Sequence, residues 1–303
     1  MKKFTSEEIR EFVSEPIFDE KIILNKVSSW PRISIITPSF NQGEFLERTI
    51  LSVLNQNYPN LEYIIIDGDS TDESVEVIKK YEKYLTYWVS EKDNGQSDAI
   101  NKGFQRSTGE ILAWLNSDDI YLSGILYGVT EVFRNDKKVD VIYGNKYIVD
   151  EGDRLISERR LTHCTPYIVR LGSIYGGFGI YQPASFWRRE TYEKVGGIDS
   201  SLKFCMDNDL FIKFALNSAK FKFIREYLVA FRVHSSSKTS TIRDVAKEEF
   251  NILLKKYNLK HSFLRGKIVW NFIRFIKILL YIFQGDTTYL YFKLFRDKMK
   301  WVP

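Results

Sequence analysis

Residues 108–121 read Thr-Gly-Glu-Ile-Leu-Ala-Trp-Leu-Asn-Ser-Asp-Asp-Ile-Tyr. The apolar run from Ile111 to Leu115 is too short for a typical helix and is bounded by polar residues, which predicts a buried strand. The run ends at Asn116-Ser117-Asp118-Asp119, where two adjacent carboxylates repel each other unless a cation or water separates them. The carboxyl end of a strand in an open α/β sheet binds ligands, and oxygen ligands suit a divalent cation that carries phosphate. An ordinary Asp-rich turn is the alternative.

The composition is that of a folded globular protein. With 303 residues, of which 44% are hydrophobic and 15% aromatic, the chain can form one large domain, or a domain with an appendage. Cys164 and Cys205 give no disulfide framework, and we do not expect a zinc site built from them with His163 and His234. No apolar core follows the charged residues at the start, so we predict no signal peptide and a cytoplasmic location.

Positive charge is concentrated at the C-terminal end. From Lys255 onward the chain has eleven Lys and Arg residues and two Asp residues, whereas the net charge of the whole chain is only +5. The rest of the chain is therefore acidic overall. The basic character belongs to the tail and not to the candidate site after Leu115.

Apolar runs alternate with helical patterns. We predict strands at 33–36, 63–66, 87–89 and 111–115, with helices after the first two, the second opened by a capping-box pattern at 70–73. Further strands are predicted at 141–143, 221–224 and 228–231, and a helix from Asp207 to Leu216. This alternation predicts βαβ units and a largely parallel sheet. Neither a dinucleotide-binding G-x-G-x-x-G nor a P-loop sequence occurs, which argues against a dehydrogenase or a P-loop enzyme.

Nine short motifs occur in order between residues 31 and 240. They are Thr37-Pro38-Ser39-Phe40-Asn41, 51–56 before Tyr58-Pro59, 66–72, 95–103, Asn116-Ser117-Asp118-Asp119, Gln182-Pro183-Ala184, 196–199, Met206-Asp207-Asn208-Asp209 and 231–234. With these motifs the chain resembles the family 2 glycosyltransferases. The resemblance implies the GT-A fold, an α/β fold with a Rossmann-like, mostly parallel nucleotide-binding sheet. It divides the chain into an N-terminal extension (1–30), a GT-A catalytic domain (31–240) and a C-terminal helical tail (241–303).

The resemblance also implies a reaction. A family 2 enzyme moves a sugar, with inversion, from a nucleotide-sugar, usually a UDP-sugar, to a hydroxyl of a glycan or lipid-linked acceptor. Bacterial surface polysaccharide synthesis is the expected setting. The Q-x-x-R-W motif of the processive synthases is absent, which favours the addition of a single sugar. A non-catalytic protein that binds nucleotide-sugars, with a degenerate metal motif, is the alternative.

The donor site can be assigned by the same resemblance. Pro38 and Phe40 shape the base slot, Asp67 accepts from the uracil or ribose, and the loop carrying Gln96 and Asp98 closes on the base and sugar. Local capping is the alternative role for Asp67. The full set of expected donor-binding residues is Thr37, Pro38, Ser39, Phe40, Asp67, Gln96, Asp98, Asn116, Ser117 and Asp118.

Metal and base residues follow from the same motifs. We expect Mg²⁺ or Mn²⁺ on Asp118, with Asp119 beside it and His234 as a later contact, although His234 could also cap a strand end. Asp207 occupies the position of the general base. Asp207 and Asp209 could instead only stabilise a helix N-terminus.

Two residues depart from the family pattern. Asn116 replaces the first carboxylate of the metal motif, and Met206 stands where Glu is common.

The loop from Gly177 to Gln182 is expected near the acceptor, although its glycines could simply allow tight turns.

The tail contains an aromatic, basic helix. The run from Ile268 to Phe283 is interrupted by Arg274 and Lys277, and its apolar length is too short for a membrane span. Such a composition suits a helix lying on an anionic membrane surface, where a lipid-linked acceptor would be found. A lid or a dimer contact is the alternative. No nucleic-acid motif accompanies these basic residues, so we expect no nucleic-acid partner.

Overall fold

A computed structural model describes residues 1–25, 29–169, 179–238, 243–258 and 263–291 of the chain. Residues 177 and 178 of the loop expected near the acceptor lie outside this part, as do the last twelve residues of the tail. Two short 3₁₀ turns are formed by Glu82–Tyr84 and Gln182–Ala184.

The described residues form one mixed sheet of nine strands. In space the order is β3-β2-β1-β4-β8-β6-β9-β5, with β7 paired to β6. Strands β3, β2, β1 and β4 are mutually parallel, as are β6 and β9, whereas β8 runs antiparallel to both β4 and β6. The strands are β1 Ile33–Ser39, β2 Leu61–Asp67, β3 Tyr87–Ser90, β4 Ile111–Trp114, β5 Ile120–Tyr121, β6 Val141–Val149, β7 Leu155–Arg159, β8 Ser185–Arg188 and β9 Phe221–Arg232.

Helices cover both faces of the sheet. Alternate side chains of β1 enter different cores, because Ile33 and Ile35 belong to one buried cluster and Ile36 to the other. The result is the three-layer α/β arrangement that parallel strands require. The helices are α1 Ser6–Phe12, α2 Glu20–Asn25, α3 Gly43–Leu54, α4 Ser74–Tyr81, α5 Gln96–Arg106, α6 Ile125–Asn135, α7 Arg189–Lys194, α8 Met206–Leu216, α9 Arg243–Lys256, α10 Phe263–Phe283 and α11 Thr287–Tyr291.

Strand β4 can lie close to β1 because a glycine stands just before it. A Cβ on Gly109 would lie 2.4 Å from Ser34 Oγ and 2.7 Å from the Ser34 backbone nitrogen. Glycine therefore allows the two strands to approach at their start. The parallel pairing of β1 with β2 and β4 then brings the carboxyl ends of these strands to one edge of the sheet.

The fold class expected from the sequence is confirmed, and two local predictions are corrected. The segments 221–224 and 228–231 form a single strand, β9, with an irregular register against β6 instead of two strands. The capping-box pattern at 70–73 does not cap α4 as predicted. Instead, the Asp72 carboxylate accepts from the backbone nitrogens of Ser74 (3.0 Å) and Gly43 (2.9 Å), which joins the starts of α4 and α3.

Both ends of the described chain pack on the central sheet and its helices. The side-chain amide of Asn55 donates to the Phe12 carbonyl at 2.6 Å, and Ile9 and Phe12 of α1 are buried. At the other end, Arg160 donates to Asp286 at 2.6 Å, and the Tyr281 hydroxyl donates to the Arg160 carbonyl at 2.7 Å. The end of α10 and the start of α11 are therefore attached to the segment that follows β7.

Candidate functional site

Phe40, Gly68 and Asp93 lie together at the carboxyl ends of β1 and β2, where the sequence predicts the base slot. Phe40, the residue after β1, is 60% exposed, whereas every residue of β1 is buried. A Cβ on Gly68 would lie 2.9 Å from Asp93 Oδ2 and 3.3 Å from the Phe40 ring, so the three residues are close neighbours. Asp93 was not among the predicted site residues, although its place just after β3 is a signal that could have found it.

The predicted residues at the base of this slot are buried. Thr37 pairs its hydroxyl with Tyr63 at 3.1 Å, and Pro38 is buried next to it. Ser39 is also buried, and its hydroxyl oxygen has no hydrogen-bond partner in the part of the chain that the structure describes. A buried hydroxyl of this kind needs a partner, which a bound ligand or water can supply.

Asp67 holds the turn after β2. Its carboxylate accepts from the Ser70 nitrogen (2.9 Å), the Ser70 hydroxyl (2.6 Å) and the Ser90 hydroxyl (2.6 Å), and the side chain is completely buried. These hydrogen bonds hold the turn and differ from the helix capping that was the alternative role, and a contact of Asp67 with the base stays a prediction. Phe40 is exposed at this edge, and Asp93 is partly exposed, with its Oδ1 accepting from the Gly95 nitrogen at 2.7 Å.

Gln96 joins the start of α5 to the turn after β4. Its amide nitrogen donates to Asn116 Oδ1 at 2.8 Å, and its amide oxygen accepts from Lys238 Nζ at 2.7 Å. Asp98 instead accepts from the Asn94 nitrogen at 3.0 Å. Of the two residues predicted on this loop, Gln96 thus lies against the metal-motif turn, and Asp98 stabilises the start of its own helix.

The turn at 116–119 is held from two sides. The Thr49 hydroxyl lies 2.9 Å from the Ser117 carbonyl and 2.8 Å from the Asp119 carbonyl. Arg232, fully buried at the end of β9, donates to the Asp118 carbonyl at 2.5 Å. These hydrogen bonds hold the backbone of the turn that carries Asp118.

The side chains of Asp118 and His234 lie within hydrogen-bond distance of each other. His234 Nε2 lies 3.0 Å from Asp118 Oδ2, and its Nδ1 lies 2.8 Å from the Ser236 hydroxyl. The imidazole also packs on Phe45, with ring centroids 4.6 Å apart. A histidine that is oriented through Nδ1 presents Nε2 in a fixed direction, as metal-binding histidines commonly do.

This pair fits a magnesium or manganese site of the open kind. No three His, Cys, Asp or Glu side chains converge on one point in the described ranges, so the protein does not form a closed metal cage there. Mg²⁺ is commonly held by one or two carboxylates together with substrate phosphates. Asp118, with His234 beside it, supplies a donor set of that size.

Asp119 occupies a different environment from Asp118. Its side chain is completely buried, and Oδ1 accepts from the Arg232 backbone nitrogen at 3.1 Å. Burial, together with the charge of Asp118, raises the pKa of Asp119 well above its usual range. The Asp119 side chain is thus less accessible than that of Asp118, which is 20% exposed, and a role for Asp119 as a metal ligand stays a prediction.

Asp207 and Asp209 are separated by their surroundings. Asp207 lies in the first turn of α8, where burial raises the pKa of its carboxyl to about 6. Asp209 is fully buried, with Lys213 Nζ at 2.7 Å, Lys256 Nζ at 2.9 Å and the Tyr257 hydroxyl at 2.6 Å. Asp209 is therefore neutralised within the protein, whereas Asp207 keeps a pKa suited to proton transfer near neutral pH.

A carboxylate on α9, that of Glu249, holds the segment just before α8, the helix that carries Asp207. Glu249 accepts from three successive backbone nitrogens, those of residues 203 (2.5 Å), 204 (2.8 Å) and 205 (2.8 Å), just before α8. The sequence prediction placed Glu249 in the tail and missed this role.

Lys146 was missed as well, although a lysine inside an apolar strand is a visible signal. The electrostatic influence of Lys146 reaches both Asp119 and Asp207.

Comparison with known proteins identifies a matching family and relatives that are named as glycosyltransferases. The sequence model described as "Glycosyl transferase family 2" matches residues 34–196. TuaG of Bacillus subtilis, a glycosyltransferase provisionally named for teichuronic acid biosynthesis, is 38% identical over 99 residues, which cover 31% of this chain and 38% of TuaG.

Solved structures share the fold at low sequence identity. Staphylococcus aureus TarS in complex with UDP-GlcNAc aligns with a TM-score of 0.56 and 17% identity, covering 72% of this chain and 66% of that one. The mannosyltransferase PcManGT of Pyrobaculum calidifontis, in complex with GDP-Man and Mn²⁺, aligns with a TM-score of 0.57 and 15% identity. That alignment covers 85% of this chain and 71% of PcManGT.

Proposed function

The chain belongs to glycosyltransferase family 2, and from that premise we propose that it moves one sugar, with inversion, from a UDP-sugar to an acceptor hydroxyl. The observation that carries the proposal is the contrast between Asp207 and Asp209. Burial raises the pKa of Asp207 to about 6, and in the described residues Asp207, unlike Asp209, lacks a cationic partner within hydrogen-bond distance. The complexes of TarS with UDP-GlcNAc and of PcManGT with GDP-Man support a nucleotide-sugar as the donor class.

The donor side combines the slot with the Asp118–His234 pair. Phe40 offers an exposed ring on which a base can stack, and Asp93 lies beside it as a hydrogen-bond acceptor. Asp118 and His234 would hold Mg²⁺ or Mn²⁺, which supplies positive charge for the leaving diphosphate when it is bound. To act as a ligand, Nε2 of His234 must be unprotonated, and the Ser236 hydroxyl can then accept a hydrogen bond from Nδ1–H.

The acceptor side depends on Asp207. As the acceptor oxygen forms its bond to the anomeric carbon, the bond from that carbon to the diphosphate oxygen breaks. The hydroxyl proton passes to the Asp207 carboxylate, and the sugar is transferred with inversion. A base with a pKa near 6 is ionised at neutral pH and still able to take up this proton.

The donor proposal is tested by a thermal-shift panel of UDP, GDP, CMP and dTDP, each with and without Mn²⁺. A ligand that binds the folded state raises the midpoint of unfolding by mass action. We expect a shift with UDP that grows when Mn²⁺ is added. Asp118→Asn should lose the Mn²⁺-dependent part, whereas Asp244→Asn, at an exposed position on α9, should behave as wild type. No shift with any nucleotide would contradict the proposal.

We further propose that the acceptor is a lipid-linked glycan at the inner face of the plasma membrane, within a surface-polysaccharide pathway. Helix α10 supports a membrane contact, because five apolar side chains are exposed on one face. They are Phe272, Phe275, Leu279, Ile282 and Phe283. The helix contains four Lys and Arg residues and no Asp or Glu, which suits an anionic lipid surface. Within the described residues, no helix is long and apolar enough to span a membrane.

A further inference from the structure

Lys146 places an ammonium group against two aromatic rings, within electrostatic range of Asp119 and Asp207. It lies on β6, whose other residues are mostly buried and apolar. Its Nζ is 3.8 Å from the centre of the Phe231 ring and 4.5 Å from that of Tyr181. Two aromatic faces stabilise a cation by cation–π attraction, but they do not replace the hydrogen bonds that an ammonium makes in water.

The ammonium group lacks polar partners inside the protein. Among the residues that the structure describes, Lys146 Nζ makes no hydrogen bond and no ion pair, and the side chain is only partly accessible. This desolvation lowers the pKa of Lys146 to about 8. A charge kept in such surroundings without a partner is costly for stability. Functional sites are common places for groups of this kind.

Lys146 interacts electrostatically with groups on both the donor side and the acceptor side of the proposed site. The charged groups that act on it are Asp119, below the metal-motif turn, Asp207, the proposed base, and Arg159 on the neighbouring strand. Asp119 Oδ2 is itself buried without a hydrogen-bond partner in the described part of the chain. Two polar groups without hydrogen-bond partners among the described residues, Lys146 Nζ and Asp119 Oδ2, thus belong to the same region, where a polar ligand can satisfy them.

We infer that Lys146 is a substrate-binding residue that donates to an anionic oxygen, a phosphate or a carboxylate, of the bound nucleotide-sugar. An anionic donor must approach the carboxylates of Asp118 and Asp207, which repel it. A lysine ammonium is a compact charge of the kind that commonly binds phosphate. The inference rests on the proposed function, since it requires a nucleotide-sugar in this site.

Two parts of a donor carry such an oxygen, and binding measurements separate them. Dissociation constants for UDP, UDP-glucose and UDP-glucuronic acid are measured by calorimetry with Mn²⁺ on wild type and Lys146→Met. Loss of a hydrogen bond to a charged group corresponds to about a tenfold or larger weakening. If Lys146 binds the diphosphate, all three ligands weaken by that factor. If it binds a sugar carboxylate, only UDP-glucuronic acid weakens.

A matched control and a second variant keep the test decisive. Lys222→Met removes an exposed lysine from β9 and should bind all three ligands as wild type does. Lys146→Gln, which stays polar, replaces Lys146→Met if the latter unfolds. Unchanged dissociation constants in the Lys146 variants would overturn the inference. Failure of the wild type to bind any nucleotide would instead overturn the proposed function.

Discussion

Asp207 and Asp209 show how the surroundings of a residue, more than its type, decide its role. The two carboxylates are two positions apart at the start of α8. Asp209 is enclosed by two lysines and a tyrosine, whereas Asp207 receives only the backbone N–H of Asn208, at 2.7 Å, among the described residues. Burial without a bonded counter-ion raises the pKa of a carboxyl, as the value of about 6 for Asp207 reflects.

The pH dependence of the reaction should therefore follow Asp207. Since the base acts only when ionised, turnover should rise with pH through about 6 and level off above it. The measurement is kcat against pH at saturating donor and acceptor, with circular dichroism at each pH to show that the protein stays folded. A profile that is flat from about pH 5 to about pH 7 would exclude Asp207 as the base.

Replacing Asp207 should separate activity from stability. At neutral pH the folded state holds this carboxyl ionised although burial has raised its pKa, so the charge destabilises the fold. The stability that the protonated carboxyl contributes is lost as pH rises through about 6. Asp207→Asn should abolish turnover, retain nucleotide binding and raise the melting temperature, because the neutral amide is easier to bury.

Melting curves and turnover of Asp207→Asn are compared with those of Asp244→Asn, which changes an exposed carboxylate on α9. Full turnover in Asp207→Asn would contradict the assignment. Loss of turnover with binding preserved would also exclude a non-catalytic binding protein, because wild-type turnover is then shown to depend on this one carboxylate.

At the scale of elements, α9 serves as a support for the proposed base. It contacts the segment before α8 through Glu249, and it neutralises Asp209 through Lys256. Both contacts join a helix that we predicted as part of the tail to the helix that carries Asp207. The start of the tail is therefore packed against the proposed acceptor side of the site.

Glu249→Gln should lower kcat by about tenfold or more and leave nucleotide binding unchanged. A glutamine offers one acceptor oxygen and no charge, so it cannot satisfy the three backbone N–H groups that Glu249 now receives. Glu248→Gln, at the exposed neighbouring position, is the control. A role in positioning predicts that the acid limb of the pH profile moves together with kcat. Equal rates in the two variants would refute it.

At the scale of the whole molecule, α10 leaves an apolar face uncovered while its C-terminal end is anchored. Tyr281 of this helix is buried, and Asp286, just after the helix, pairs with Arg160 and Arg225. An exposed stripe of this kind on an otherwise anchored helix indicates a contact surface. With no acidic residue on the helix, an anionic membrane is the partner that its charge favours.

The double variant Phe272→Ser/Phe275→Ser should reduce co-sedimentation with vesicles that contain anionic phosphatidylglycerol and leave turnover of a soluble acceptor unchanged. Ile252→Ser removes an exposed apolar side chain from α9 and is the matched control. Binding of the wild type should weaken as salt is raised, because surface charges are screened. If the wild type does not bind the vesicles, and light scattering shows that it forms a dimer that the double variant does not form, the face is a dimer contact.

The sequence by itself determined the fold class and the family. The buried strand at 111–115 and the motifs around it are local patterns, and the family match and the structural neighbours confirm what they predicted. Strand and helix identity depends on the spacing of apolar residues along the chain, which is fully present in the sequence.

Only the tertiary structure decided which polar residues face the site. Asp118 and Asp119 are adjacent in sequence, yet one faces His234 and the other is buried beneath Arg232. Lys146 and Glu249 acquire their proposed roles from strands and helices that are distant in the chain. Burial and the pKa of a charged group depend on the atoms packed around it, and those atoms come from segments whose proximity no local pattern encodes.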